Sequence, residues 1–338
     1  MQFIRVFIFA VFMACNLNAV AADKDLGINA RLFTTNMPYN EKQFSLLSSM
    51  NVQSVRWDAP WKEVETQKGK LVVPRSWDNV VGRLNSMGIG NHIILDYGNK
   101  FYDNGDKPLS EDAIAGYLRY VEVMATHFKG KVKYYQIWNE WNGKVGNTTP
   151  GYAKDYYVLL KRAYPIIKSI DPDAVVIGGG FSTNGYDSIL GIRFNPKNQP
   201  TQFEELLKTD AYKYMDMLSL HPYVSYRTGE WWGIHGFKRL VDLLVSKVKA
   251  TDGFNQLPLA ATEVGWSTAL SPNGITQDQQ KEFLSDAISY MFDKYKFKYV
   301  VVFGLLDGND GLLDTESNFG IYKNDLVTPK NAADIFKK

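Results

Sequence analysis

The chain has 338 residues, of which 45% are hydrophobic and 14% aromatic, and its formal net charge is +2. This length allows either two domains or one large α/β barrel, and the apolar fraction supports a sizeable core. A net charge so close to zero gives no electrostatic case for binding a nucleic acid or an anionic membrane, so we expect neither partner. The high aromatic content fits stacking on sugar rings.

The first 21 residues have the pattern of an export signal. Arg5 supplies a positive end, residues 6–14 form an apolar run, and Ala19-Val20-Ala21 is a small-x-small cleavage site. The apolar run is too short to span a bilayer, and no later segment is long enough. Cleavage after Ala21 would remove Cys15, the only cysteine, although lipidation of Cys15 stays open. We therefore expect a periplasmic or extracellular protein without a membrane span.

Strand-like and helix-like segments alternate along the rest of the chain, which is the pattern of βα units around a parallel sheet. The segments predicted as strands are 26–30, 52–56, 91–95, 132–138, 174–177, 215–220, 257–263 and 299–303. The main predicted helices are 41–50, 77–87, 110–128, 156–167, 237–248, 276–291 and 332–336. Asn40 is the expected N-cap of the first helix, Gly88 ends the second, and residues 276–279 form a capping box.

Eight such units without an internal linker predict an α/β fold, a single (β/α)8 TIM barrel that spans residues 22–338 as one domain. In these barrels the active site lies at the C-terminal ends of the strands. The polar residues that follow the predicted strands, from Arg56 to Asp307, all fall at that end.

Two of the predicted strands stop at a glutamate that has a tryptophan close by. Glu140 follows the fourth strand in IWNEWN, and Glu263 ends the seventh in ATEVGW. Two carboxyl groups that converge in an aromatic-lined cleft suit the cleavage of a glycosidic bond, which needs one protonated and one ionised group. The alternative for Glu140 is a solvated side chain in an ordinary polar loop.

Five stretches of the chain carry a family resemblance: VRWDAPWKEVETQKGK at 55–70, IWNEWN at 137–142, LSLHPY at 218–223, ATEVGWST at 261–268 and LLDGNDGLLDTESNFGIYKNDLVTPKNA at 305–332. They resemble the retaining glycoside hydrolases of clan A, and most of all glycoside hydrolase family 39 and its exopolysaccharide-degrading relatives. The chain departs from many clan members at the end of the eighth strand, where Phe303 and Gly304 replace a tryptophan.

The resemblance implies a role for each matching residue. Glu140 would be the acid/base and Glu263 the nucleophile. Asn139 would hydrogen-bond the sugar 2-hydroxyl, while Arg56 and Tyr223 would hold Glu263 ionised and aimed. Retention of configuration implies carboxyl groups roughly 5–5.5 Å apart and a covalent glycosyl-enzyme intermediate.

Five further residues at predicted strand ends are candidates for substrate contact: Tyr97, Trp141, His221, Trp266 and Asp307. For Asp307 a solvated turn is the alternative to a substrate contact. Other rings near strand ends could line an open rim that binds several sugar units. These rings are Trp57, Trp61 and Trp231, although Trp231 could instead pack under its own loop. No histidine and carboxylate cluster has metal-ligand spacing, so we expect no metal and no cofactor.

The resulting hypothesis is a secreted, monomeric, retaining glycoside hydrolase with a polysaccharide substrate. It would be endo-acting on a bacterial exopolysaccharide, such as that of a biofilm, or on another β-linked polysaccharide. An exo-acting β-xylosidase-like glycosidase is the alternative within hydrolases. From another class, the alternative is a non-catalytic barrel that only binds carbohydrate.

Overall fold

The computed structural model describes residues 24–32, 37–144, 149–191 and 202–337. The predicted export signal lies outside these residues. Within the described chain, no helix is both long enough and apolar enough to cross a membrane.

Eight parallel strands form a closed barrel in the order of the sequence, which confirms the predicted fold class. They are β1 Asp25–Asn29, β2 Ser54–Pro60, β3 Gly90–Asp96, β4 Tyr134–Ile137, β5 Val175–Gly179, β6 Met217–Leu220, β7 Leu259–Val264 and β8 Tyr299–Val302. The barrel closes where β1 pairs with β8, with Asp25 opposite Tyr299. The C-terminal ends of the strands, where the polar residues were predicted, therefore lie around one rim of the barrel.

Helices surround the barrel and cover the outer face of the strands. They are α1 Met37–Ser49, α2 Trp61–Val64, α3 Arg75–Ser86, α4 Glu111–His127, α5 Ala153–Ile170, α6 Gln202–Leu207, α7 Gly233–Lys249 and α8 Gln277–Ser289. The last predicted helix is a 3₁₀ segment, Asn331–Phe336.

Local signals set several of these boundaries. The capping box is present, because Thr276 accepts from the backbone of Gln279 and the Gln279 side chain accepts from the backbone of Thr276. Gly88 follows α3 with a φ of 71°, a conformation that glycine adopts at little cost. The prediction for Asn40 was wrong, since α1 begins at Met37 and Asn40 lies within it.

Strand alternation in β2 decides which side chains reach the barrel interior. Val55, Trp57 and Ala59 belong to the apolar core between strands and helices. Arg56 and Asp58 point to the other face and line a cavity inside the barrel mouth. The strand thus delivers charged groups inward and apolar groups outward.

The opposite, N-terminal end of the barrel interior is filled with packed side chains. Tyr134 and Tyr299, each the first residue of its strand, stack at 4.4 Å between ring centroids. The Nδ1 atom of His92 lies 3.0 Å from the Tyr299 hydroxyl. Burial lowers the pKa of His92 well below its ordinary value, so the ring is neutral in this layer.

Candidate active site

A cavity of about 1560 Å³ opens at the C-terminal ends of the strands. Six of the ten residues predicted for the site line it: Arg56, Tyr97, Asn139, Glu140, Tyr223 and Glu263. They come from β2, β7 and the segments that follow β3, β4 and β6. The closed barrel therefore brings together side chains that are far apart in the sequence.

Glu140 is placed by an unusual turn after β4. Trp138 has a φ of 62° and Glu140 a φ of 46°, which non-glycine residues adopt rarely. Such a conformation costs about 1–3 kcal/mol per residue and persists only where surrounding contacts hold it. Here the Trp138 amide donates to Leu95 at 3.1 Å and the Glu140 amide to Gly180 at 3.1 Å. Backbone bonds to the neighbouring strands thus fix the carboxyl group at the cavity wall.

Glu263 is held by two donors. Arg56 donates to Oε1 at 2.8 Å and the Tyr223 hydroxyl to Oε2 at 2.9 Å. Burial by itself raises the pKa of Glu263. His221 and Arg56 lower it electrostatically, and hydrogen bonds from Tyr223 and Arg56 add to this, so the net pKa is below the ordinary value. Glu263 is therefore ionised near neutral pH.

Glu140 has the opposite electrostatic setting. Its side chain is only 13% exposed, and Oε1 lies 3.0 Å from Nδ1 of His221. Burial raises the pKa of Glu140, and the negative charge of Glu263 raises it further. The contact with His221 offsets only part of this effect. The two glutamates thus differ in their tendency to hold a proton.

The two carboxyl groups lie close together. One oxygen of Glu140, one of Glu263 and a ring nitrogen of His221 all lie within 4.8 Å of one another. Inverting glycosidases need roughly 6.5–9.5 Å between their carboxyl groups, whereas retaining ones need about 5–5.5 Å. The same three groups have the types of a metal-ligand set. However, both oxygens of Glu263 already accept hydrogen bonds, and the charge of Arg56 would oppose a cation there.

A second hydrogen-bond network fixes Asn139. Arg56 donates to Oδ1 of Asn139 at 2.8 Å, and the Asn139 amide donates to the Tyr97 hydroxyl at 3.2 Å. Arg56 also donates from Nε to Gln136 at 3.2 Å, and Gln136 donates to the Trp138 carbonyl at 2.9 Å. Sequence reasoning missed Gln136. Its signal is a polar residue at an inward position of a buried strand.

His221 lies beneath the two glutamates and is fully buried. Besides its contact with Glu140, its Nε2 atom lies 2.9 Å from the hydroxyl of Thr262. His221 does not line the cavity. The contacts of His221 therefore suit a residue that orients the carboxyl groups. The prediction was that His221 contacts the substrate.

The structure does not bring the other three predicted residues into the cavity lining. Trp141 is fully buried, and its indole donates to the Tyr152 carbonyl. Trp266 is 3% exposed and packs on neighbouring phenylalanines. Asp307 pairs with buried Lys330 at 2.5 Å. In each case, the side chain that was expected to contact a sugar contacts neighbouring residues of the protein instead.

The predicted tryptophan rim was also wrong. Trp57 and Trp61 are fully buried, because outward positions of β2 and the start of α2 face the helices. Trp231 is partly buried and stacks under Arg239 at 4.4 Å. The aromatic lining consists of Tyr97 and Tyr223, which were predicted as site residues, together with Tyr226, Phe303 and Phe319.

Comparison with solved structures finds the same barrel in carbohydrate-active enzymes. A family 39 glycoside hydrolase from the gut symbiont Bacteroides cellulosilyticus WH2 is 21% identical, with a TM-score of 0.72 over 91% of this chain and 61% of that one. Xylanase 10B from Thermotoga maritima is 15% identical, with a TM-score of 0.64 over 91% and 92% of the two chains. The chain thus spans less than two thirds of the family 39 structure.

A third similar structure is a GH5_18 protein from Streptomyces cattleya in complex with Manβ1-4GlcNAc. It is 12% identical, with a TM-score of 0.68 over 92% of this chain and 78% of that one. No protein-family model and no curated protein matches the sequence. At these identities the likeness establishes the (β/α)8 fold, which the structural neighbours share, and leaves the reaction to be argued from the site.

Proposed function

We propose that the protein is a retaining glycoside hydrolase of clan A, related to family 39. The observation that carries this proposal is the pairing of buried Glu263 with partly buried Glu140, two glutamates with opposite pKa shifts. Glu140 has a raised pKa and Glu263 a lowered one, and their oxygens approach within 4.8 Å. Pairs of carboxyl groups whose environments push their pKa values apart identify an acid and a nucleophile.

In the first step, Glu263 attacks the anomeric carbon of the sugar. The bond from that carbon to the leaving oxygen breaks, and Glu140 donates its proton to this oxygen. The products are the released alcohol, a glycosyl ester on Glu263 and ionised Glu140. Arg56 and Tyr223 keep the attacking carboxylate ionised and fixed before the step.

In the second step, water enters next to Glu140, which is now a base. Glu140 takes a proton from the water, the oxygen attacks the anomeric carbon, and the ester bond to Glu263 breaks. Both glutamates return to their starting states, and the sugar keeps its anomeric configuration. Glu140 can serve in both steps because the negative charge of Glu263 raises its pKa. That charge is lost when the glycosyl ester forms, so the pKa of Glu140 falls, and it returns when the ester breaks.

Asn139 is proposed to bind the 2-hydroxyl of the reacting sugar. Arg56 and Tyr97 fix the orientation of its amide, which lines the cavity near both glutamates. A hydrogen bond to the 2-hydroxyl that strengthens in the transition state contributes several kcal/mol in glycosidases.

The substrate class is proposed to be a β-linked polysaccharide, such as a bacterial exopolysaccharide, cleaved internally. The cavity of about 1560 Å³ exceeds the ~300–1,000 Å³ of typical small-molecule sites, which supports room for more than one sugar. Export by the segment 1–21, a single catalytic domain over 22–338 and a monomeric state complete the proposal.

The test is a pair of conservative substitutions. Glu263→Gln should reduce turnover of every substrate by several orders of magnitude, because it removes the nucleophile. Glu140→Gln should cost roughly 10²–10⁴-fold on polysaccharide. It should cost much less in the first step on aryl glycosides, whose leaving groups need no proton. Glu122→Gln, on an exposed face of α4, is the matched control.

Each alternative has its own outcome in this test. Wild-type rates in Glu263→Gln would refute the assignment. A wild-type protein that binds polysaccharide but hydrolyses neither polymer nor aryl glycoside would be the non-catalytic barrel. Folding of every variant is checked by circular dichroism and thermal unfolding.

A further inference from the structure

A second pair of carboxyl groups lies at the barrel mouth, on β2 and β3. Asp58 pairs with Ile94 in the sheet and Asp96 with Pro60. Because Asp58 and Asp96 are thus two register positions apart, both side chains face the barrel interior. Asp58 lines the cavity, whereas Asp96 is fully buried.

The carboxyl group of Asp96 has an unusual hydrogen-bonding environment. Neither oxygen of Asp96 has a hydrogen-bond donor in the part of the chain that the structure describes. The carboxyl group of Asp58 is close enough to raise the pKa of Asp96 through its charge and through hydrogen bonding. Two ionised carboxylates repel each other and cannot form a hydrogen bond, so their proximity favours a proton on one of the two.

The proton belongs on Asp96. Burial raises the pKa of Asp96 well above the ordinary value, and the charge of Asp58 raises it further. Burial also raises the pKa of Asp58, and its net pKa stays above the ordinary value although Arg56 and the hydrogen bond from Asp96 act against burial; the rise is smaller than that of Asp96. Asp96 is therefore the neutral donor, and Asp58 is the charged acceptor that faces the cavity.

We propose that Asp58 and Asp96 form a specificity subsite, in which Asp58 accepts hydrogen bonds from ring hydroxyls of the reacting sugar and Asp96 orients Asp58 through their shared proton. The proposal rests on the hydrolase function given above. Asp58 is the specificity-determining residue, and Asp96 is a positioning residue that acts only through Asp58.

The charges around Asp58 determine which chemical groups of a ligand can bind next to it. The charge of Arg56 is matched by Glu263 in a buried ion pair at 2.8 Å. Asp58 therefore adds a negative charge that no cation pairs with within 4.0 Å in the described chain. Hydroxyl groups can donate to its free lone pairs, whereas a carboxylate on the ligand would be repelled. Directly against Asp58, the subsite thus favours a hydroxyl-bearing part of a sugar ring over an anionic group; Arg31, Lys62, Lys100 and Lys144 line other parts of the cavity.

The position of Asp58 indicates which hydroxyls it reaches. Tyr97, which follows β3, bonds to Asn139, which follows β4. Asp58 lies on β2, one strand further from Asn139 around the barrel. For a sugar whose 2-hydroxyl binds Asn139, the proposal assigns to Asp58 the next hydroxyl along the ring, at C3.

The first experiment measures kinetics on neutral 4-nitrophenyl β-glycosides and on their 3-deoxy analogues. Asp58→Asn should lower kcat/KM on the parent glycoside roughly 10- to 100-fold, the range for a hydrogen bond to a charged group. On the 3-deoxy analogue, wild type and Asp58→Asn should differ by less than about threefold. Equal losses on both substrates would overturn the assignment of the hydroxyl contact. Asp252→Asn, an exposed aspartate far from the cavity, is the control.

The second experiment separates positioning by Asp96 from a purely structural role. Asp96→Asn keeps a neutral N–H donor to Asp58 and should retain kcat/KM within about threefold, whereas Asp96→Leu should reproduce the substrate-dependent loss of Asp58→Asn. Equal loss in both Asp96 variants, with folding intact, would refute the shared proton.

A readout that needs no activity distinguishes this proposal from the hydrolase function. The infrared difference spectrum of wild type minus Asp96→Asn at neutral pH should contain the C=O band of a protonated carboxyl group. Its presence supports the proton-sharing pair even if no glycoside is hydrolysed. Its absence refutes the pair even if the enzyme is active.

Discussion

The Nδ1 atom of His221 lies 3.0 Å from Oε1 of Glu140. The same atom is 3.8 Å from Oε2 of Glu263, so one buried imidazole ring contacts both carboxyl groups. Thr262 fixes the other side of the ring. The protonation of the two glutamates is therefore coupled through their charges and through a common neighbour.

The opposite pKa shifts predict a bell-shaped pH dependence of kcat/KM. Activity needs Glu263 ionised, so it falls at low pH as Glu263 is protonated. It also needs Glu140 protonated, so it falls at high pH as Glu140 ionises. The pKa of Glu263 lies below the ordinary value of 4.5 and that of Glu140 lies above it. The acidic limb should therefore have its midpoint below pH 4.5, and the basic limb should have its midpoint above pH 4.5. Initial rates at substrate concentrations well below KM measure this directly.

Replacing His221 should move both limbs of that profile to higher pH. His221 lowers the pKa of Glu140 through its hydrogen bond and that of Glu263 through its charge. His221→Asn removes both effects. The matched control is His235→Asn, at an exposed position of α7. An unchanged profile in a folded His221→Asn protein would contradict this electrostatic account.

The close approach of Glu140 and Glu263 predicts retention of configuration. The first sugar product should carry the same anomeric configuration as the substrate, because two inversions occur in succession. Proton NMR in the first minutes of hydrolysis, before mutarotation, measures the anomer. An inverted first product would remove the covalent mechanism and the proposed clan.

Asp307 should matter for stability and not for substrate binding. Its partner Lys330 is fully buried, and burial lowers the pKa of Lys330 to about 8 despite Asp307. Asp307→Asn leaves the lysine without its counter-charge, so the free energy of unfolding should fall by about 3–5 kcal/mol. Urea denaturation measures this loss, while KM on an aryl glycoside should stay unchanged. A higher KM with unchanged stability would restore the predicted substrate contact.

The size of the cavity predicts internal cleavage of a polysaccharide. Size-exclusion chromatography of a timed digest should show a rapid fall in polymer length and a ladder of oligosaccharides. Monosaccharide released first, with polymer length unchanged, would identify an exo-acting enzyme. The same digest with Glu263→Gln should show no change at all.

The barrel and both glutamates were predictable because they leave strong local signals. Alternating apolar segments indicate βα units, and a carboxylate directly after a buried strand is placed at the rim by the fold itself. Glu140 and Glu263 both lie there, as predicted. Asp58 could also have been found, since it lies two positions after Arg56 on the same strand face.

Other parts of the site were not predictable from sequence. A tryptophan near a strand end can face the cavity or the helices, and Trp141 and Trp57 both pack in the apolar core outside the cavity. Their direction depends on strand register and on the left-handed turn at Trp138, which has no sequence signal, since the residue is not a glycine. Likewise, nothing near Asp307 in the sequence indicates that Lys330 will fold back onto it.

Arg56 and Glu263 are separated by 207 positions in the chain and lie on strands that are not neighbours in the sheet. In the closed barrel, the pair spans the interior between β2 and β7. During translation, Arg56 emerges long before its partner exists, and such distant contacts form slowly. A nascent or truncated chain that lacks β7 has an arginine without its carboxylate at the future centre, and on the proposed mechanism it also lacks the nucleophile.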